Sequence, residues 1–272
     1  MKHLYYIFFS VCNLVAGCGF ATQSDEPIPV HDTFSIPSKL LREHRVINVW
    51  APEAYKMKAT PLPVIYMADG GIQEDFPHLA NTLSKLIEER KVPPAILVGI
   101  QNTQRRRDLT GPTNVEKDKE IAPVVGGAAA FRMFIKEELF PEIGRRYQTT
   151  VERTLIGESA AGLFVMETFF LAPEMFDNYI AFDPSLWWNN HYLVTKAKEL
   201  LKQPRSTEKR LWFAGSNATD IAPYTRQLAE TLKTENPANL EWRFADEPNE
   251  KHTTIFKSTK EKAIIWTLGN HH

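Results

Sequence analysis

Residues 153–171 read RTLIGESAAGLFVMETFFL, and this stretch decides the fold. Thr154-Leu155-Ile156 is a short apolar, β-branched run, Gly157 to Gly162 consists mostly of small residues, and Leu163 to Leu171 is apolar with helical spacing. A strand that turns at once into a helix passes through a tight, strained corner. Only small neighbours let the backbone through, and a serine at that corner has its hydroxyl pushed out. Gly157-Glu158-Ser159-Ala160-Ala161 is that pattern, with alanine where a second glycine is usual. Ser159 equally fits a helix N-cap, because a serine hydroxyl before a helix accepts from the free amides of its first turn.

Working outward, apolar and β-branched runs bounded by turn residues recur at Val46–Trp50, Pro63–Met67, Ala95–Ile100, Arg153–Ile156, Tyr179–Phe182, Arg210–Ala214 and Leu240–Phe244. Between most of them lie segments with apolar residues three and four apart. Leu79, Leu83, Leu86 and Ile87 form one such face, and Phe131, Phe134, Ile135, Leu139 and Ile143 another. Strands that alternate with helices imply an α/β fold, a mostly parallel sheet covered on both faces. Chemistry in such sheets sits beyond the carboxyl ends of the strands, so the residues just after each strand are the candidates.

Composition sets the outer limits. The chain has 272 residues, 43% hydrophobic and 24% charged, enough for one sizeable core. Its formal net charge is -1, with no basic stripe to neutralise phosphates, which argues against a nucleic-acid partner. Both cysteines, Cys12 and Cys18, fall in the first eighteen residues, so cysteine chemistry is excluded from the body of the chain.

Those first residues resemble an export signal, a weakly positive Met1-Lys2-His3 followed by an apolar stretch from Leu4 to Val15. The stretch is too short to remain as a membrane span. Two cleavage points fit. Gly19-Phe20-Ala21 is a small-residue site, and Val15-Ala16-Gly17-Cys18 resembles a bacterial lipobox, in which acylated Cys18 anchors the protein to a membrane. The expected division is an export signal at 1–18, a polar, Pro-rich tether at 19–37 and one domain at 38–272.

A serine nucleophile needs a base, and in this arrangement the partners follow in the order serine, acid, histidine. His271 and His272 are terminal, and His191 follows Ser159 by a single strand, which leaves His252. It lies past the strand Leu240–Phe244 and the polar loop 245–251, just before an amphipathic last helix from about Thr254. The acid is sought after the preceding strand, where Asp220 is the only carboxylate in the loop 215–221. Asp220 also fits an N-cap on the helix from about Pro223, and Asp246, or no acid at all, remains open. Oxyanion donors are expected from the amide of Ala160 and from Gly70 or Gly71 in the turn after Pro63–Met67.

Several segments together resemble one family. They are PVIYMADG (63–70), Gly99-Ile100-Gln101-Asn102-Thr103 with Arg105, Arg107, Asp108, Leu109 and Thr110, FRMFIKEELFPEIGRRY (131–147), Gly157 to Gly162, Asp183-Pro184-Ser185-Leu186-Trp187-Trp188-Asn189, and His252. The chain is similar in these to the Putative esterase family, which includes esterase D, ferric enterochelin esterases and some feruloyl esterases. The resemblance implies the α/β-hydrolase fold, no metal or organic cofactor, and hydrolysis of a small-molecule ester through an acyl-enzyme on Ser159 with His252 as base. It leaves the acid open. Siderophore-type, feruloyl or acetyl, and small acyl esters all fit, as does an acyltransferase using the same residues. A non-catalytic surface lipoprotein that keeps the fold is the contrasting expectation. Arg105 and Arg107 are candidates to bind an anionic group or to hold their own loop, and Trp187 and Trp188 to line a pocket or to fill the core. The leader implies a periplasmic or membrane-anchored protein of a bacterium.

Overall fold

The structure, a computed structural model, describes residues 27–269 apart from 54, 56–59 and 204. The expected leader, Cys18 and the first part of the tether lie outside the described residues.

One sheet of eight strands organises the chain: β1 (Asp32–Ser38), β2 (Glu43–Trp50), β3 (Leu62–Ala68), β4 (Ile96–Ile100), β5 (Thr149–Glu158), β6 (Asn178–Phe182), β7 (Lys209–Gly215) and β8 (Leu240–Asp246). Their order across the sheet is β1-β2-β4-β3-β5-β6-β7-β8. β1 and β2 pair antiparallel, as do β2 and β4, and from β4 onward every neighbour is parallel. All seven runs expected from the sequence are strands. β1 is the addition: its seven residues pair in full register with β2, so the expected tether becomes sheet at Asp32, five residues before Pro37. Its exposed positions Asp32 and Thr33 left no alternation clear enough to find it by pattern.

The carboxyl-terminal halves of the inner strands are mostly apolar because both their faces are covered. β4 and β6 have no exposed residue. On one face pack α1 (Phe76–Glu88) and α9 (Ile255–Leu268), and on the other the helices of the segments 128–146 and 160–171. α1 begins with Pro77 in its first turn, where the missing amide costs nothing, and carries the expected face, with Leu79, Leu83 and Leu86 wholly buried.

The helical segment 128–146 is less regular than its spacing suggests. It comprises α4 (Ala128–Phe134), a π-helical turn (Ile135–Leu139) and α5 (Phe140–Arg146). Pro141 supplies the physical reason, since it has no amide to donate and its ring crowds the carbonyl one turn back, so the helix widens there. α6 (Ala160–Leu171) is buried on every side from Ala161 to Phe170 and apolar apart from Thr168 and Glu167, whose carboxylate pairs with Arg132 at 2.9 Å, as befits a helix at the centre of the fold. Each fully buried leucine, valine, methionine or phenylalanine here contributes about 1.5–3 kcal/mol.

The shorter helices α2 (Arg105–Leu109) and α3 (Glu116–Ile121) follow β4, and α7 (Trp188–Leu200) and α8 (Ala222–Glu235) follow β6 and β7. The six parallel strands therefore point their carboxyl ends at one edge, which carries Asp69, Asn102, Ser159, Asp183, Ser216 and His252.

Candidate active site

Ser159 sits between β5 and α6 with φ 57 and ψ -116, a left-handed backbone strained for any residue with a Cβ. The corner is closed on all sides. A Cβ on Gly157 would lie 2.6 Å from the Ala161 carbonyl carbon, and one on Gly162 would lie 2.9 Å from the Phe182 carbonyl oxygen. Ala161 in the glycine position is tolerated because Gly157 across the corner yields the space. The corner is tied to β6 by the Ser159 amide donating to the Phe182 carbonyl at 2.9 Å, and the Ser185 amide donates back to the Ser159 carbonyl at 3.1 Å. Ser159 stands in the N-cap position of α6, yet its hydroxyl makes no capping bond, which leaves it free for another partner.

That partner is His252, whose Nε2 lies 3.1 Å from the Ser159 Oγ. The loop bearing His252 is held to the sheet by Glu247 donating to the Gly215 carbonyl at 2.8 Å and by Asn217 donating to the Glu250 carbonyl at 3.0 Å. The Thr254 hydroxyl, 2.7 Å from the Glu250 carboxyl, braces the far side of the loop.

The other ring nitrogen, Nδ1, lies 2.8 Å from Oδ2 of Asp183, a wholly buried carboxylate at the end of β6. This corrects the expectation that Asp220 is the acid. Asp220 is exposed in the loop after β7 and reaches His252 only as the weakest of its neighbouring charges. Nor does Asp220 cap α8, whose N-cap position is Ile221. Asp246 pairs with Arg226 at 3.0 Å instead. The hydrogen bond from His252 to the Asp183 carboxylate is the main influence that raises the His252 pKa above the ordinary imidazole value, against the opposing effect of burial. Asp183 itself is at φ 44 and accepts two more bonds, from the Ser216 amide at 2.8 Å and the Ser216 hydroxyl at 2.6 Å.

Sequence reasoning missed Asp183 because it looked one strand too late. The signal was present in Asp183-Pro184-Ser185, an acid set directly at the carboxyl end of a fully buried strand and followed by proline.

The expected oxyanion donors divide. The Ala160 amide opens α6 and has no carbonyl one turn behind it to receive its hydrogen. The Gly70 amide is already committed to the Ile100 carbonyl at 3.0 Å, so it is removed from the expected set. The Gly71 amide donates to the Glu74 carboxylate at 2.6 Å and becomes available only if Glu74 moves.

Ser159 and His252 open on a cleft of about 510 Å³ whose walls include Asp69, Glu74, Asp75, Glu158 and Arg105. Arg105 holds Asp69 through two bonds of 2.6 Å, a fork-to-carboxylate grip on the cleft wall. Arg107 does not reach the cleft. Its guanidinium pairs with Asp108 at 2.7 Å and Glu43 at 2.7 Å, in a network with buried Arg45, so the expected substrate contact is corrected to a structural tie. Neither tryptophan lines the cleft. Trp188 is buried, donates to the Gly111 carbonyl at 3.0 Å and walls a second cavity of about 250 Å³, while Trp187 packs half-buried against the core. His191 stacks on Tyr224, with ring centroids 5.0 Å apart.

The sequence model of the family described as Putative esterase matches residues 38–268. The chain is 30% identical over 227 residues to the ferri-bacillibactin esterase BesA of Bacillus subtilis, covering 76% of this chain and 78% of that one. It is 31% identical over 196 residues to the siderophore triacetylfusarinine C esterase of Aspergillus fumigatus, covering 65% of this chain and 63% of that one. Among solved structures it resembles an IroE-like serine hydrolase from Shewanella oneidensis, with a TM-score of 0.80 and 28% identity over 87% of this chain and 79% of the other. On these grounds the chain belongs to the Putative esterase family and is a carboxylic ester hydrolase of α/β fold.

Proposed function

We propose that the chain is a serine esterase that cleaves siderophore-type esters through an acyl-enzyme on Ser159. The observation that carries this reading is His252 bridging Ser159 at 3.1 Å and Asp183 at 2.8 Å, a base already aligned with nucleophile and acid. In this reading Asp183 keeps the proton of neutral His252 on Nδ1, so that Nε2 is free to accept from Ser159. The Ser159 oxygen attacks the ester carbonyl as His252 takes its proton, and the negative charge that forms faces the Ala160 amide. His252 then gives the proton to the departing alcohol. Water follows the same route in reverse and releases the acid. Asp183 stabilises the imidazolium formed at each step.

The siderophore class is supported by the relatives, two of which are named as esterases of such compounds. Residues 1–18 are proposed to direct export, with Cys18 as lipid attachment point, 19–31 to form the tether and the remainder a single hydrolase domain. Among the described residues no helix is long and apolar enough to cross a membrane.

The test is incubation of the purified protein with a cyclic tri-ester iron chelator, followed by mass spectrometry of the products. Products heavier by one water per cleaved bond, absent with Ser159→Ala, support the reading. A chelator left intact by a protein that turns over simple aryl esters would overturn the siderophore assignment.

A further inference from the structure

The cleft beside Ser159 is dominated by carboxyl groups, and one of them is the residue immediately before the nucleophile. Glu158 ends β5 and lines the cleft together with Ser159 and His252, the two groups that point to an ester ligand there. Among the described residues, nothing donates a hydrogen bond to its carboxyl. Facing it are Asp69 from the turn after β3, Glu74 and Asp75 before α1, and His78 on α1. Asp183 lies behind, and from the last loop and α9 come His252 and Lys257. Among the described residues the one arginine of the cleft, Arg105, is held by Asp69 through both bonds of its fork. Lys257 is exposed at the rim.

We propose that Glu158 is a specificity-determining residue of this cleft: as a neutral acid it donates a hydrogen bond to the bound ester substrate, and as a carboxylate it sets the cleft to reject substrates whose bound portion is anionic. This rests on the serine-esterase reading above and narrows its substrate class. A neutral carboxylic acid here donates a hydrogen bond to a substrate oxygen, and an ionised one adds a charge to a wall that already carries Asp69 and Glu74.

The protonation state supports the geometry. Burial first, and then the charge of Asp75, push the Glu158 pKa up to about 8, with His252 opposing. Asp75 is itself raised to about 6, again chiefly by burial. Near neutral pH, therefore, Asp75 is mostly charged and Glu158 mostly protonated. The cleft gains one negative charge as pH rises through about 8.

The experiment compares kcat/KM for matched esters at pH 6 to 9.5. On the acyl side, p-nitrophenyl hexanoate, 6-trimethylammoniohexanoate and the adipate half-ester carry zero, positive and negative charge. On the alcohol side, butyryl thioesters of 3,3-dimethylbutanethiol, thiocholine and 3-mercaptopropionate do the same. Ratios are read, because the titration of His252 cancels in them. In at least one series the anionic-to-neutral ratio is expected to be about one tenth at pH 7, and to fall about tenfold further through pH 8, the effect of one added charge across a partly solvated cleft. In Glu158→Gln the fall through pH 8 disappears. Ratios flat with pH in both series, or a fall that persists in Glu158→Gln, overturn the proposal. Loss of all Ser159-dependent turnover, the neutral esters included, would instead overturn the serine-esterase reading beneath it.

Discussion

Ser216 holds Asp183 by two bonds at once, its amide to Oδ1 at 2.8 Å and its hydroxyl to Oδ2 at 2.6 Å, and Oδ2 is the oxygen that meets His252. Both residues are wholly buried, so the grip is unscreened by solvent. Ser216 is thus a positioning residue that acts through Asp183.

Replacing Ser216 with alanine removes the hydroxyl and keeps the amide. We expect kcat to fall about tenfold with KM little changed, in line with the loss of one charge-assisted hydrogen bond. Without the hydroxyl, Asp183 concentrates its charge on His252 and raises the imidazole pKa further. The rise of kcat/KM with pH, which marks deprotonation of His252, then moves to higher pH. A variant whose rate falls with no shift of that limb has lost only packing.

The assignment of the acid is tested by paired variants. Asp183→Asn is expected to lower kcat by about 10³-fold or more, because an amide favours the wrong imidazole tautomer. Asp220→Asn is expected to stay within about threefold of the parent, given its exposure. Steady-state turnover of one aryl ester by both variants is sufficient, and equal losses would return Asp220 to the site.

The corner around Ser159 makes a prediction about stability. Gly157→Ala places a methyl group 2.6 Å from backbone, and neither side can move without breaking the corner, so a loss of about 3 kcal/mol or failure to fold is expected. Ala161→Gly relieves nothing and should cost about 1 kcal/mol, the penalty of glycine inside a helix. Thermal unfolding of the two variants distinguishes them.

A pH-dependent stability effect follows from Glu158. Its folded pKa, about 8, lies above the unfolded carboxylate value, so the unfolded chain releases this proton first as pH rises. Folding is therefore penalised increasingly above about pH 4.5, and the penalty levels off once pH exceeds about 8. Glu158→Gln removes it, and should stabilise the protein at pH 8 by up to about 4 kcal/mol while making little difference at pH 4. Denaturant unfolding at the two pH values measures this directly. Equal effects at both would mean that the carboxyl is not held neutral.

Much of this was legible in the sequence, for identifiable reasons. The inner strands are short apolar runs between turn residues, because burial on both faces removes polar alternatives, and Ile96–Ile100 or Tyr179–Phe182 fit no other element. Ser159 follows β5 directly and His252 lies in the loop after β8, and strand order alone brings them to one edge. Asp183 was not legible by counting, since the loops after β6 and β7 end near the same histidine and either satisfies the order serine, acid, histidine. β1 was hidden by its polar outer face, and Arg107 by a partner, Glu43, that is distant in sequence. The second oxyanion donor depends on which acceptors the Gly70 and Gly71 amides already have, and that is fixed only by tertiary contacts.

The central claim is that Ser159 is a nucleophile activated by His252. The most direct measurement is reaction of the protein, from residue 19 onward, with a fluorophosphonate, followed by intact mass and peptide mapping. A single adduct on the peptide containing Ser159, lost together with aryl-ester turnover in Ser159→Ala, is the predicted result. A folded parent protein that stays unlabelled, or a Ser159→Ala variant that keeps its turnover, would contradict it.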